Sequence, residues 1–141
     1  ARQINNGMGK YIAEKTIKLM IKNNKKIKDS NILVLGVTFK EDCPDLRNTK
    51  VTDIINELNE YGVNVDIYDP WVDLSEVKHH FTHKLMESNP FKSNKKYDSI
   101  IVAVAHKQFM ELTPEDYKSI STENEVIIDI KGIVKNPTWR L

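Results

Sequence analysis

The stretch Ile32-Leu33-Val34-Leu35-Gly36-Val37-Thr38-Phe39-Lys40-Glu41-Asp42-Cys43-Pro44-Asp45-Leu46-Arg47-Asn48-Thr49 decides the fold. A short, wholly apolar run stops at a glycine, and a long polar loop follows before the next helical pattern. Such a run, flanked in this way, fits a central strand of a parallel sheet, buried on both faces. The loop behind it is too long for a minimal turn, and it carries Lys40, Asp45 and Arg47. Open α/β sheets bind ligands in the loops at the carboxyl ends of their central strands, so this loop is the expected anion site.

Upstream, residues 2–24 read as a long amphipathic helix, with Ile4, Met8, Ile12, Ile17, Met20 and Ile21 at helical spacing and lysines opposite. Gly7 and Gly9 weaken its first turns, at about 1 kcal/mol each relative to alanine. Downstream, Asn48 or Thr49 is an N-cap for a helix whose buried stripe is Val51, Ile54, Ile55, Leu58 and Tyr61, and Gly62 is placed to end it. Residues 64–68 alternate as a second strand that stops at Asp69-Pro70. A short helix over 73–80 and an edge strand over 82–86 are expected next. Residues 89–96 form a polar connector, and 99–105 are the second fully apolar strand. His106-Lys107-Gln108-Phe109 leads into short helices, one with Pro114 at its first position after Thr113. Residues 125–130 are the last expected strand, followed by Lys131-Gly132.

Strands alternating with helices, two of them apolar throughout, give a parallel sheet covered on both faces. The right-handed crossover rule leaves few topologies. The expected fold is α/β: a Rossmann-like parallel sheet with helices on both faces, preceded by the long N-terminal amphipathic helix. The first strand is central and the Val104 strand lies beside it. That order brings Phe39-Lys40, His106-Lys107 and Lys131 to one edge.

With 40% hydrophobic and 29% charged residues the composition is that of a globular domain. The 21 basic and 20 acidic residues nearly cancel, so no global field argues for nucleic acid or an anionic membrane as partner. No apolar run approaches the roughly 18 residues that span a bilayer. One cysteine, Cys43, rules out a disulfide framework and a multi-cysteine zinc site. A reduced, cytoplasmic compartment is the default expectation. The chain begins mid-pattern, with no initiator methionine and no N-cap, and so reads as cut from something longer.

A dinucleotide turn needs three glycines after its strand, and only Gly36 is present here, with Phe39 and Lys40 where a pyrophosphate would approach. The layout is that of a dinucleotide domain, but the fingerprint is absent. Lys40, Arg47 and Lys131 supply positive charge and directed donors for phosphate oxygens or sugar hydroxyls. Arg47 serves equally well paired with Asp45 or Asp53 to order the loop. His79 and His83 share a helical face, but no third ligand stands near them, so a solvated surface explains them better than zinc. His106, after a buried strand, is the better functional candidate, although a helix-entry hydrogen bond also explains it. Cys43 lies among Glu41, Asp42 and Asp45, which disfavour a thiolate, and reads as a bystander.

The Gly36 to Thr49 stretch resembles the Gly-x-x-Phe-Lys…Asp-x-Arg-x-Ser/Thr signature of the UDP-glucose/GDP-mannose dehydrogenase family, C-terminal domain. The opening Ala1-Arg2-Gln3-Ile4-Asn5-Asn6-Gly7-Met8, Tyr68-Asp69-Pro70, and the tail Asp129-Ile130-Lys131-Gly132 with Trp139-Arg140-Leu141 agree in order and spacing. The likeness covers essentially the whole chain. It is greatest to the bacterial branch acting on UDP-N-acetylhexosamines for capsule and O-antigen sugars. The resemblance implies residues 1–24 as the end of a central dimerisation helix and 25–141 as a UDP-sugar-binding domain. It also implies an enzyme that oxidises a sugar C6 alcohol to a carboxylate in two NAD-dependent steps, through a cysteine-bound thiohemiacetal. NAD and the catalytic cysteine then belong to a region upstream of this chain, and Cys43 stands where many relatives have threonine. Phe39 and Lys40 are implied to sit on the substrate, and Lys131 to occupy a position where relatives place a cationic contact. Two other readings stay open: a free-standing Rossmann-like nucleotide-binding protein, and a non-catalytic dimerisation module organised by helix 2–24. Self-association through that helix is expected, because Ile4, Met8 and Ile12 exceed what covering one sheet requires.

Overall fold

A computed structural model describes residues 7–38, 40–46, 49–76 and 81–141. Five parallel strands form one sheet in the order β2-β1-β3-β4-β5. They are β1 (Asn31–Leu35), β2 (Asn64–Tyr68), β3 (Ser99–Val102), β4 (Ile127–Asp129) and β5 (Trp139–Arg140). β1 lies between β2 and β3, with Leu33 opposite Asp66 on one side and Ile100 on the other. The chain leaves β1 in one direction to reach β2 and returns to the other side for β3. That switch point is the crevice where open parallel sheets bind ligands.

Alternation within the strands divides the core in two. Ile32 and Val34 face the side covered by α1 (Met8–Lys22) and α2 (Val51–Glu60), together with Ile101 and Ile128. Leu33 and Leu35 face the other side, with Ile100, Val102 and Ile127, under α3 (Lys107–Met110) and α4 (Pro114–Ser119). Each such side chain, fully withdrawn from water, contributes about 1.5–3 kcal/mol. The helix expected to begin at Pro114 after Thr113 is present and carries a capping box: the Thr113 hydroxyl accepts the Asp116 amide at 3.2 Å, and the Asp116 carboxylate accepts the Thr113 amide at 2.8 Å.

α1 departs from expectation in an informative way. A Cβ on Gly9 would lie 2.6 Å from the Asp53 Cβ, so this glycine lets α1 and α2 cross at close range. The propensity cost expected of Gly9 thus comes with a packing role. The close crossing draws Ile12, Ala13, Ile17 and Met20 into the domain's own core. Ile12 is therefore used by the sheet cover and is not surplus to it, while Ile4 lies outside the described residues. Tyr11 and Ile21 remain exposed, at 48% and 58%.

α2 starts at Val51, one turn-end later than expected, with Lys50 at the N-cap position and the Thr49 hydroxyl accepting the Val51 amide at 3.3 Å. Asn48, the other expected cap, lies outside the described residues. Residues 82–86 are not a strand. The Met86 amide donates to the Ile67 carbonyl at 2.8 Å, a single bond at the β2 edge that no ladder continues. Within 73–80 the described part holds only a 3-10 turn, Leu74–Glu76, and residues 77–80, with His79 and His80, lie outside the description. The fifth strand is instead the pair Trp139–Arg140, in register with Ile128 and Asp129.

The amino-terminal edge of the sheet is laced by one lysine. Lys25 Nζ donates to the Thr122 hydroxyl at 2.5 Å and to the Glu123 carbonyl. The Thr122 hydroxyl donates to Asp98 at 3.0 Å, and the same carboxylate accepts the Asn31 amide at 2.9 Å. Burial pushes the Lys25 ammonium below its usual pKa, against the pull of Asp98, Glu125 and Glu123.

Candidate functional site

The carboxyl ends of β1, β2, β3 and β4 form one edge, and a buried acid organises each half of it. Gly36 opens the turn after β1 at φ +93°, where a Cβ would meet that of Val104 at 2.6 Å. This glycine serves the close approach of the β1 turn to the end of β3. The next amides, of Val37 and Thr38, donate to the Asp69 carboxylate at 2.8 and 3.2 Å. Asp69 follows β2 and also accepts the Trp71 amide at 2.8 Å.

His106 completes this corner from the end of β3. It has no exposed surface. Its Nδ1 accepts the Asp42 amide at 2.9 Å, so the ring proton lies on Nε2. That nitrogen stands 2.9 Å from Asp69 Oδ2 and 3.2 Å from the Thr38 hydroxyl. The Thr38 hydroxyl in turn donates to the Lys40 carbonyl at 2.9 Å. With both nitrogens engaged, His106 is not available as a base toward a ligand.

The other half is built on Asp129, at the end of β4 and fully buried. It accepts the amides of Gly132, Ile133 and Val134 at 2.8, 3.2 and 2.9 Å, and Arg140 Nε at 2.9 Å. Arg140 also donates to the Val134 carbonyl. The loop that carries Lys131 is thereby tied to β5.

Cationic side chains rim this edge. Lys40 and Lys107 are exposed. The Lys107 ammonium lies 5.7 Å from the centre of the Trp71 ring, whose indole N–H donates to Gln108 at 2.9 Å. Lys131 is half-buried; burial lowers its pKa, and the Glu41 carboxylate opposes that shift. Glu41 belongs to the β1 loop, so the β1 and β4 loops meet as the topology required. Of the residues expected at the site, Lys40 and Lys131 stand on this edge, and Phe39 and Arg47 lie outside the described residues. Asp69 and Asp129 were legible in the sequence only as letters of motifs, Asp69 just after β2 and Asp129 as the last residue of β4.

The residues of the β1 turn do not fit a dinucleotide. A pyrophosphate would need the amides that Asp69 occupies, and an acid at the end of β2, where such domains hold a ribose, here turns inward. What the edge can do is bind an anion with lysine side chains; Cys43 is free and half-buried, with neither nitrogen of His106 open to it. Among the described residues no cluster of three or more His, Cys, Asp or Glu could hold a metal ion, and no helix is long and apolar enough to cross a membrane.

Comparison with known proteins gives the family of this domain. Residues 33–136 match the family described as UDP-glucose/GDP-mannose dehydrogenase family, UDP binding domain. A UDP-N-acetyl-D-glucosamine 6-dehydrogenase of Salmonella typhi is 42% identical over 133 residues, which are 94% of this chain and 31% of that protein. Protein CapL of Staphylococcus aureus is 43% identical over 147 residues, 99% of this chain and 34% of that one. Among solved structures, a UDP-D-ManNAc dehydrogenase from Pyrococcus horikoshii superposes with a TM-score of 0.75 at 25% identity, over 96% of this chain and 31% of its own. The chain spans about a third of the length of the curated relatives it matches.

Proposed function

The chain belongs to the UDP-glucose/GDP-mannose dehydrogenase family through its UDP binding domain, and from that premise we propose that it binds the nucleotide end of a UDP-N-acetylhexosamine for an NAD-dependent 6-dehydrogenase. The observation that carries this is the state of the β1 turn. Asp69 takes the amides that would otherwise cradle phosphate, so the anion must be met by side chains on the rim. Lys40 and Lys131 are the ones on the described edge, with Phe39 and Arg47 completing the set by family motif. Oxidation of the sugar C6 alcohol to a uronate, for a capsular or similar polysaccharide in the cytoplasm, is the activity this binding serves. The choice of an N-acetylhexosamine follows the names of the relatives.

In this reading the chain orients substrate and holds no cofactor. NAD supplies hydride acceptance, and the misfit of the β1 turn supports placing its binding in the part of the enzyme outside the roughly one-third these relatives share with the chain. The same misfit counts against a free-standing dinucleotide-binding protein. Self-association as a homodimer through α1 belongs to the proposal in a narrower form, with Tyr11 and Ile21 as the exposed apolar contacts; a monomer in sedimentation at high concentration would remove it.

Titration calorimetry with UDP, UDP-GlcNAc and NAD tests the main reading. UDP and UDP-GlcNAc are expected to bind and NAD not to. Lys40→Ala should weaken UDP about ten- to a hundredfold, the worth of a charge-assisted contact of roughly 1.5–3 kcal/mol. Because Lys40 is exposed, stability should move by less than about 0.5 kcal/mol. NAD binding tighter than UDP, or unchanged affinity in the variant, would overturn the assignment.

A further inference from the structure

His106 is buried and polar, and the binding role above does not use it. Burying an imidazole is unfavourable unless its nitrogens are paired. Here the pairing reaches both ends of the turn that presents Lys40. Nδ1 accepts the Asp42 amide at 2.9 Å, and Nε2 lies 3.2 Å from the Thr38 hydroxyl that bonds the Lys40 carbonyl. Asp42 holds φ 52°, a left-handed conformation that aspartate adopts more readily than most non-glycine residues and that here aims its amide at the ring. Its carboxylate returns the contact by accepting the Lys107 amide at 2.9 Å, next to His106 in the chain. Asp69, through Nε2, fixes which nitrogen carries the proton and hence which one is free to accept the Asp42 amide.

We infer that His106 is a positioning residue for Lys40: it touches no ligand, and by its bonds to Thr38 and Asp42 it holds the backbone on either side of this lysine so that the side chain is placed for the diphosphate of a nucleotide sugar. The inference rests on the UDP-binding reading and adds to it the group that presets the loop. Loosening the turn lowers the fraction of molecules with Lys40 in place, and apparent affinity falls by that fraction.

Two variants test it, His106→Asn and the milder Thr38→Val, which removes only the hydroxyl between the ring and the Lys40 carbonyl. UDP affinity is measured by calorimetry for each, with and without Lys40→Ala, and amide hydrogen exchange is followed by NMR. Each variant should lose affinity, by about tenfold for His106→Asn and less for Thr38→Val, when Lys40 is present, and by less than about twofold when it is absent. Exchange of the Thr38 and Asp42 amides should accelerate about tenfold or more while β1 and β3 keep their protection. An equal loss in both lysine backgrounds, or acceleration spread evenly over the sheet, would reduce His106 to an ordinary core residue and overturn the inference. Failure of the unmodified chain to bind UDP would instead overturn the nucleotide reading, and the exchange pattern alone would then decide whether His106 holds the turn.

Discussion

Asp69 and Asp129 are both buried carboxylates at strand ends, and backbone amides of the loop that each anchors satisfy most of their lone pairs. They differ in the remaining partner. Asp69 meets the buried, singly protonated ring of His106, whereas Asp129 meets Arg140, whose side chain is 43% exposed. Amide dipoles can stabilise a buried carboxylate in either setting. A partner half in water turns back to solvent when the acid is lost, while a partner with no exposed surface cannot. The corner between β1, β2 and β3 is therefore rigid and brittle, and the corner between β4 and β5 is tolerant.

Removing the acids should expose this asymmetry most strongly. Asp69→Ala strands the Val37, Thr38 and Trp71 amides and one nitrogen of His106. It should lower stability by roughly 3–5 kcal/mol in urea unfolding. A loss below about 1 kcal/mol would show that the corner relaxes freely. Asp129→Ala strands three amides but frees Arg140 to water, and a loss of about 2–3 kcal/mol is expected by the same measurement. If it matches or exceeds the Asp69 variant, the comparison is reversed.

Arg140→Gln sharpens the contrast at lower amplitude. A half-exposed ion pair contributes about 0.5–1 kcal/mol and is screened, so the difference from the unmodified chain should shrink in high salt. A loss independent of salt would mean that packing, not charge, is what Arg140 supplies. The smallest effect concerns Lys131. Its folded pKa lies below that of the unfolded chain because burial disfavours the ammonium, so the unfolded state binds more protons as pH approaches 10.5. The stability of the unmodified chain relative to Lys131→Met should therefore rise with pH in that alkaline window. A falling difference would show that Glu41 outweighs burial.

The sheet was readable because its signal is local. Runs such as Ile32-Leu33-Val34-Leu35 and Ser99-Ile100-Ile101-Val102 have no other economical burial, and the order of β1 beside β3 followed from handedness. β5 was not readable, since a two-residue strand carries no pattern of its own and is placed by contacts across the chain: the Thr138 and Leu141 amides donate to the Ile127 and Asp129 carbonyls, and Arg140 reaches Asp129 across 11 residues. The 82–86 segment misled in the opposite sense: its alternation serves Phe81 and Leu85, both buried, with no partner strand. At the site, Lys40 and Lys131 stood out by charge at strand ends. His106 did not reveal its task, because that task depends on Thr38 and Asp69, which are 68 and 37 residues distant. Gly9 was read as a helix flaw for the same reason, as its purpose lies on α2.

The lacing by Lys25 has a mechanical consequence for α1. A helix of 15 residues is about 22 Å long. This one bears on α2 through Gly9 near one end, and the chain just past its other end is pinned by Lys25 to Thr122 and Glu123. Contacts at two separated points resist pivoting of α1 about either one. The first bearing is α2 beside Asp53, one turn from the start of that helix and from the loop that carries Lys40. α1 is thereby held by α2 near one end and, just past the other, by the amino-terminal edge of the sheet.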